Sequence, residues 1–247
     1  MASEHATVNK DGVKTFIPLE NNPEVMSHLA SLLGVSPSLT FHDIYSLDDN
    51  DLLAQIPRPV NALLFVCPGT VYTRSREAEN SSMPAYTGCG EEEAVIWFRQ
   101  TIGHACGLIA LLHSICNGPN RKYIMPGSLL DGLLCQAITL QPDDRAALLY
   151  NSPSLALAHA EAARKGDTEA PTNLNQDFHH FIAFVKGSDS HLWELNGGMK
   201  GPVDRGTLTE SEDVLSEGAL SMGMRTILDK ANGEYGFSIV AIAEETV

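Results

Sequence analysis

A thiol, an imidazole and a side-chain amide can together hydrolyse an acyl bond, and this chain carries all three in suggestive positions. The stretch Gln100-Thr-Ile-Gly-His-Ala-Cys106-Gly-Leu-Ile-Ala-Leu-Leu-His-Ser-Ile-Cys116 opens polar and continues in good helix formers. Ala105, Ile109, Leu112 and Cys116 fall on one helical face and Leu108, Leu111 and Ile115 on the next. Only His113 and Ser114 interrupt them, so the spacing predicts a helix buried nearly all round. Gly103 marks a tight entry and places Cys106 at or near the first turn. There, unpaired backbone N–H groups and the positive end of the helix dipole favour a thiolate. A backbone N–H beside the sulfur and the amide of Gln100 could both face a developing oxyanion. The competing reading of Cys106 is a small core hydrophobe.

A base and its orienter come from a second stretch. His180-Phe-Ile-Ala-Phe-Val185 and His191-Leu-Trp-Glu-Leu195 have strand composition, joined by the five residues Lys186–Ser190. A five-residue hairpin loop pairs Val185 with His191, hence Ala183 with Trp193, Phe181 with Leu195 and His180 with Asn196. Direct cross-strand partners share a face, so Asn196 can hold one nitrogen of the His180 ring. Cys106, His180 and Asn196 then read as nucleophile, general base and orienter. Two polar residues at a sheet edge is the alternative. His179 is a rival base that the pleat sends to the other face. His104 is a second rival, in the entry loop with no evident orienter. Adjacent strand histidines point oppositely and cannot share one metal ion.

The elements that must hold these groups mix strands and helices without a β-α-β rhythm, which predicts α+β with a largely antiparallel sheet. Residues 1–13 are polar and read as a flexible N-terminus. Thr15–Leu19 reads as a short strand. Asn22 then caps a helix with Pro23 at its first position, ending at Gly34. Phe41–Tyr45 has strand composition and Asp48–Gln55 one or two helical turns. Val60–Cys67 is a near-continuous apolar run between prolines, a buried central strand. Pro68–Gly90 is turn-rich with little periodicity and reads as a loop. Helices are expected over Ser128–Gln136, from Gln141 through Tyr150, over the start of Ser154–Lys165, and from near Ser211 to Ala231. Phe237–Ile242 is the last strand, and no docking domain is expected after it.

Composition narrows the class. The chain has 247 residues, 43% of them hydrophobic, enough for one large domain or two small ones. No apolar run is long enough to span a membrane, and the first residues lack a basic-then-apolar leader. Five cysteines without a C-x-x-C pair argue against a disulfide framework or zinc cluster and for a reducing, cytoplasmic or nuclear setting. A net charge of −15 argues against nucleic acid or an anionic membrane and suits a basic protein partner. There is no internal repeat or heptad array.

Gln100-Thr-Ile-x-x-Ala-Cys106-Gly, His180-Phe-Ile-Ala, Glu194-Leu-Asn-Gly197 and Phe16-Ile-Pro-Leu-Glu20-x-Asn-Pro-Glu24 resemble the ubiquitin carboxyl-terminal hydrolase (UCH) family of deubiquitinases. The similarity runs from about residue 14 to the final strand. It implies a papain-like cysteine-protease core, with a central antiparallel sheet flanked by helices on both sides and a knotted backbone. One catalytic domain would cover 14–247, with an active-site crossover loop at 152–175. The implied reaction is hydrolysis after the terminal glycine of ubiquitin, releasing small or unfolded adducts without cofactor or metal. The resemblance carries the oxyanion role to Gln100, the nucleophile to Cys106 and the base to His180. It implies that Glu20, Glu24, Asp43 and Glu169 meet ubiquitin's basic face and tail, and that the protein acts as a monomer. Two positions depart from the family pattern, Asn196 where Asp is usual and His104 where Asn is usual. Asn can accept the imidazole N–H but supplies no negative charge. The alternatives are therefore a catalytically weakened ubiquitin-binding protein and a hydrolase for a ubiquitin-like modifier such as the neddylation modifier.

Overall fold

The computed structural model describes residues 7–8, 12–167 and 179–245. Within the segment expected to be flexible, β1 (Thr7–Val8) pairs antiparallel with β2 (Lys14–Thr15). The strand expected over 15–19 shortens to β2. Beyond it the chain leaves the ribbon for the catalytic entry loop: Phe16 N–H donates to the Gly103 carbonyl and Gly103 N–H to that of Lys14. Helix α1 (Pro23–Leu33) begins where Asn22 accepts the Val25 N–H and ends at Gly34, which adopts a left-handed φ of 90°. Next come β3 (Leu39–Asp43), the single turn α2 (Asn50–Leu53) capped by Asp49, and β4 (Val60–Pro68).

The segment expected as a loop after β4 is instead largely helix α3 (Gly69–Ser82). Only Val71, Tyr72 and Arg76 of this helix are buried, so the apolar period that betrays a helix is missing from its sequence. Helix α4 (Cys106–Ile115) is buried along its whole length, His113 and Ser114 included. A 3-10 turn (Gly118–Tyr123) follows, then α5 (Leu129–Ile138), α6 (Pro142–Tyr150) and α7 (Pro153–Ala163). Strands β5 (His179–Lys186), β6 (His191–Leu195) and β7 (Val203–Thr207) come next. The single helix expected from Ser211 to Ala231 is two short ones, α8 (Glu217–Met222) and α9 (Arg225–Leu228), starting later at the Ser216 cap. Gly223 divides them, because a Cβ there would lie 2.9 Å from the Phe184 ring. Strand β8 (Ser238–Glu244) closes the described chain.

Six strands form one sheet in the order β3-β8-β4-β5-β6-β7, with every pair antiparallel. Both faces of its centre are buried, which explains the near-continuous apolar run of β4, interrupted by Asn61 alone. Ala62, Leu64, Val66, Phe181, Ala183 and Val185 pack with α1, α4, α5 and α7 on one face. Leu63, Phe65, Ile182 and Phe184 pack with Val71 and Tyr72 of α3 and with α8 and α9 on the other. The fold is the α+β arrangement of antiparallel sheet between helical layers.

Candidate active site

Cys106 is the first residue of α4 and is 8% exposed. Burial pushes its thiol above the ordinary cysteine range, while the backbone N–H groups of Phe181, Gly107 and Cys106 itself pull it down. The sulfur therefore faces the start of β5 and the unpaired amides of its own helix terminus. Gly107 lets the helix approach closely, since a Cβ there would lie 3.2 Å from Leu19 and 3.4 Å from Phe181. The tight entry ahead of the helix is made by two residues. Gly103 sits against the Thr15 side chain, and His104 adopts the left-handed φ of 56°.

His180 lies on β5, and its Nε2 is 2.7 Å from Oδ1 of the buried Asn196. The register that produces this contact differs from the one expected. Ala183 pairs with Leu195, Val185 with Trp193 and Lys186 with Leu192. The turn is tighter than a five-residue loop: Gly187 N–H donates to the His191 carbonyl, Ser190 N–H to that of Gly187, and Ser190 takes a φ of 64°. The pairing is thus displaced by two residues. A shift of two keeps every side chain on its face, so Asn196 reaches His180 diagonally. Burial lowers the His180 pKa first, and the Asn196 hydrogen bond opposes that. Burial thus works against charge on both the thiol and the imidazole. An Nε2–H donated to Asn196 leaves Nδ1 as the nitrogen able to take a proton.

Gln100 is fixed to the same strand end. Its N–H donates to the Gly197 carbonyl at 2.9 Å, and Trp97 Nε1–H donates to the Asn196 carbonyl at 3.1 Å. Gly197 is required there, because a Cβ would come 2.9 Å from the Phe98 carbonyl and 2.8 Å from Ile109. The Gln100 amide donates to the Ile102 carbonyl at 3.2 Å, which leaves a second N–H on the same nitrogen. The segment leading to it is braced from within. Phe98 N–H donates to His113 Nε2 at 2.9 Å, and buried Arg145 pairs with Glu93.

Tyr72, and Glu194 through it, back the histidine, and the sequence reasoning gives neither a role. The Tyr72 ring packs on the His180 ring with centroids 5.5 Å apart. Its hydroxyl donates to Oε1 of Glu194 at 2.9 Å. Glu194 is fully buried and accepts from Arg76 Nη2 and Arg205 Nε, both at 2.8 Å. Tyr72 was hidden by the missed helix. Glu194 was visible as part of Glu194-Leu-Asn-Gly197, although nothing in its type distinguished it from a surface charge.

The rival groups take other places. His179 sits against Gly236 and lines a cavity of about 1140 Å³ with Arg74, Glu77 and Tyr235. Cys67 stands beside His180 in the β4–β5 register, but burial and the Glu194 charge push its thiol up to about 12. Of the acidic residues expected at a partner surface, Glu24 is exposed in the first turn of α1, and Asp43 accepts from the Tyr45 hydroxyl at 3.4 Å. Glu20 faces inward along the chain, accepting from Asn22 Nδ2 and from the Asp167 N–H, each at 3.1 Å. Glu169 lies outside the described residues, as does the end of the expected crossover segment.

The family model for ubiquitin carboxyl-terminal hydrolase, family 1, matches residues 16–227. Ubiquitin carboxyl-terminal hydrolase 3 of Arabidopsis thaliana is 34% identical over 236 residues, covering 94% of this chain and 96% of that protein. The human ubiquitin carboxyl-terminal hydrolase isozyme L1 is 31% identical over 227 residues, covering 92% and 97%. Among solved structures, the catalytic domain of Trichinella spiralis UCH37 bound to ubiquitin vinyl methyl ester superposes with a TM-score of 0.71, covering 93% of this chain and 95% of that one. At 18% identity that likeness speaks for the fold. The chain, with its helix-borne Cys106 and paired His180 and Asn196, belongs to family 1 of the ubiquitin carboxyl-terminal hydrolases.

Proposed function

We propose that Cys106 attacks the carbonyl of ubiquitin's terminal glycine, with His180 as base, Asn196 as its orienter and Gln100 as oxyanion donor. Membership in the family makes the chain a thiol-dependent deubiquitinase, and the site supplies a route for each proton. As the sulfur attacks, its proton passes to Nδ1 of His180, and the oxyanion meets the Cys106 N–H and the free N–H of the Gln100 amide. His180 then returns the proton to the leaving amine, the C–N bond breaks, and a thioester remains. Water activated by the same imidazole hydrolyses that thioester and regenerates the thiol. The partner reading rests on charge. Glu24 and Asp43 present carboxylates on a chain of net charge −15, which suits a basic protein surface.

The observation that carries this reading is the 2.7 Å contact of His180 Nε2 with Asn196, beside a sulfur facing the next backbone N–H of the same strand. A ubiquitin derivative with a thiol-reactive C-terminus should label Cys106 alone. Cys106→Ala should abolish turnover of a ubiquitin C-terminal amide while retaining ubiquitin binding, because the thiol supplies chemistry more than contact area. Labelling at Cys67, Cys89, Cys116 or Cys135 instead would overturn the assignment.

A further inference from the structure

An oxyanion donor on a glutamine side chain has three rotatable bonds to control before its N–H points anywhere useful. The Gln100 amide is held by one bond, from Nε2 to the Ile102 carbonyl at 3.2 Å. Its Oε1 is buried with no partner among the described residues, so this bond alone sets the direction of the second N–H. The Ile102 carbonyl belongs to the planar peptide unit it shares with the Gly103 N–H, and neither can turn without the other. That Gly103 N–H is taken by the Lys14 carbonyl at 2.8 Å. The Gly103 carbonyl in turn accepts the Phe16 N–H at 2.9 Å, and Thr15 and Gly103 form a parallel bridge. The strand β2 that grips the entry loop in this way lies ahead of the stretch matched by the family model, which starts at residue 16.

We propose that Lys14 is a positioning residue that fixes the Gln100 amide through the Ile102–Gly103 peptide. The proposal rests on the reading of Gln100 as oxyanion donor. Lys14 is itself moored at both ends. Its Nζ donates to the Tyr150 carbonyl at 2.7 Å and lies 5.2 Å and 5.3 Å from the ring centroids of Phe16 and Tyr150. Its N–H donates to the Tyr150 hydroxyl at 3.3 Å, so main chain and side chain both hold the last residue of α6. Thr15 closes the contact from the other side, since a Cβ on Gly103 would lie 2.8 Å from its Oγ1. The next residue, His104, keeps its left-handed φ of 56°, a conformation that a residue with a side chain holds only where its surroundings impose it. A strand bonded to both sides of Gly103 supplies that constraint.

The test follows the Gln100 amide itself. In 15N-labelled protein its side-chain nitrogen, assigned by its absence in Gln100→Ala, should relax with an order parameter near the rigid value of about 0.85. A value below about 0.6 in the unsubstituted protein overturns the proposal without any variant of Lys14. Lys14→Met keeps the aliphatic stem and removes the ammonium. It should lower the order parameter, and should lower kcat on a ubiquitin amide roughly fivefold with little change in KM. Lys14→Arg restores a donor to the Tyr150 carbonyl and should recover most of both. In a Gln100→Ala background Lys14→Met should cost nothing further in kcat, because the group it positions is gone. An unchanged order parameter or an unchanged kcat in folded Lys14→Met refutes the idea. So does a kcat loss that is equally large in the Gln100→Ala background, since that is what a merely structural role gives. The order parameter is read without substrate. Failure of the hydrolase reading would therefore appear separately, as no turnover by the unsubstituted protein, and failure of the oxyanion reading as an unchanged kcat in Gln100→Ala.

Discussion

In the proposed mechanism Gln100 and Asn196 act on opposite ends of the same proton and charge movement, and the backbone joins them through Gly197. This coupling separates what Gln100 does chemically from what its main chain does structurally, because the Gln100 N–H to Gly197 bond survives any side-chain change. Gln100→Ala should therefore lower kcat by about 10²–10³ with the fold intact, the usual loss for one well-placed oxyanion donor. Gln100→Glu should be at least as harmful, since it sets a negative charge against a negative intermediate. The measurement is kcat on a ubiquitin amide beside a thermal melt, and an unchanged kcat would leave Gln100 with a structural role alone. Cys106, His180 and Asn196, the proposed nucleophile, base and orienter, stand out in the sequence because their order and spacing are distinctive. Tyr72 and Glu194 were not readable. A tyrosine in a polar segment and a glutamate in a strand meet only once the fold brings α3 against β6.

Whole elements were easiest to read where a cap or an apolar period marks them. Asn22 with Pro23, Ser128 and Ser152 each start a helix where the side chain accepts an exposed N–H. In the hairpin the faces follow from alternation, whereas the register, displaced by two residues from the expected one, follows from turn geometry that composition does not dictate. Helix α7 offers a test of how elements hold each other. Its buried His159 lies 2.7 Å from the Ile17 carbonyl through Nε2, stacks on Phe16 at 4.5 Å, and leaves Nδ1 buried without a partner. Burial lowers its pKa to about 4 against about 6.5 in the unfolded chain. Between these values the unfolded chain takes up a proton that the folded chain refuses. The contribution is therefore fully present above pH 6.5 and is lost as pH falls toward 4, about 3 kcal/mol in all. His159→Gln can keep a donor to Ile17 without the titration. Its stability curve, from denaturant unfolding at a series of pH values, should lie below the parent's at pH 7 and converge with it toward pH 4. Parallel curves would show that His159 does not carry this acid sensitivity.

Across the whole molecule, the proposed catalytic groups come from distant parts of the chain and meet at one end of the sheet. Gln100 arrives in the loop before α4 and Cys106 at the helix's first position, His180 on β5 and Asn196 just past the end of β6. The N-terminal ribbon pins the entry loop through Gly103, and α7 packs against α1, so residues 164–167 follow a helix seated in the core. Glu20 holds that departure point through the Asp167 N–H, and Gly166 is close-fitted, since a Cβ there would lie 2.8 Å from the Glu20 carboxylate. Pro153–Ala163 of the segment expected at 152–175 as a crossover loop are instead helix α7, seated in the core. If the remainder of that segment arches over the cleft as a closed strap, anything released from ubiquitin must thread it or remain outside. Amides and short peptides pass such an opening, whereas a folded domain joined directly to ubiquitin does not. The protein should thus cleave ubiquitin amides and short fusions well and diubiquitin poorly. Lengthening a flexible loop costs only about 0.6 kcal/mol per doubling, so roughly ten Gly/Ser residues inserted after Asp167 should leave the fold standing and widen the strap. The quantity to compare is the rate on diubiquitin relative to a ubiquitin amide, before and after insertion, with Glu20 left in place to keep the launch point fixed. The ratio should rise on insertion. Efficient diubiquitin cleavage by the unmodified protein would remove the size filter, and an unchanged ratio in a folded insertion variant would place the limit elsewhere than in the strap.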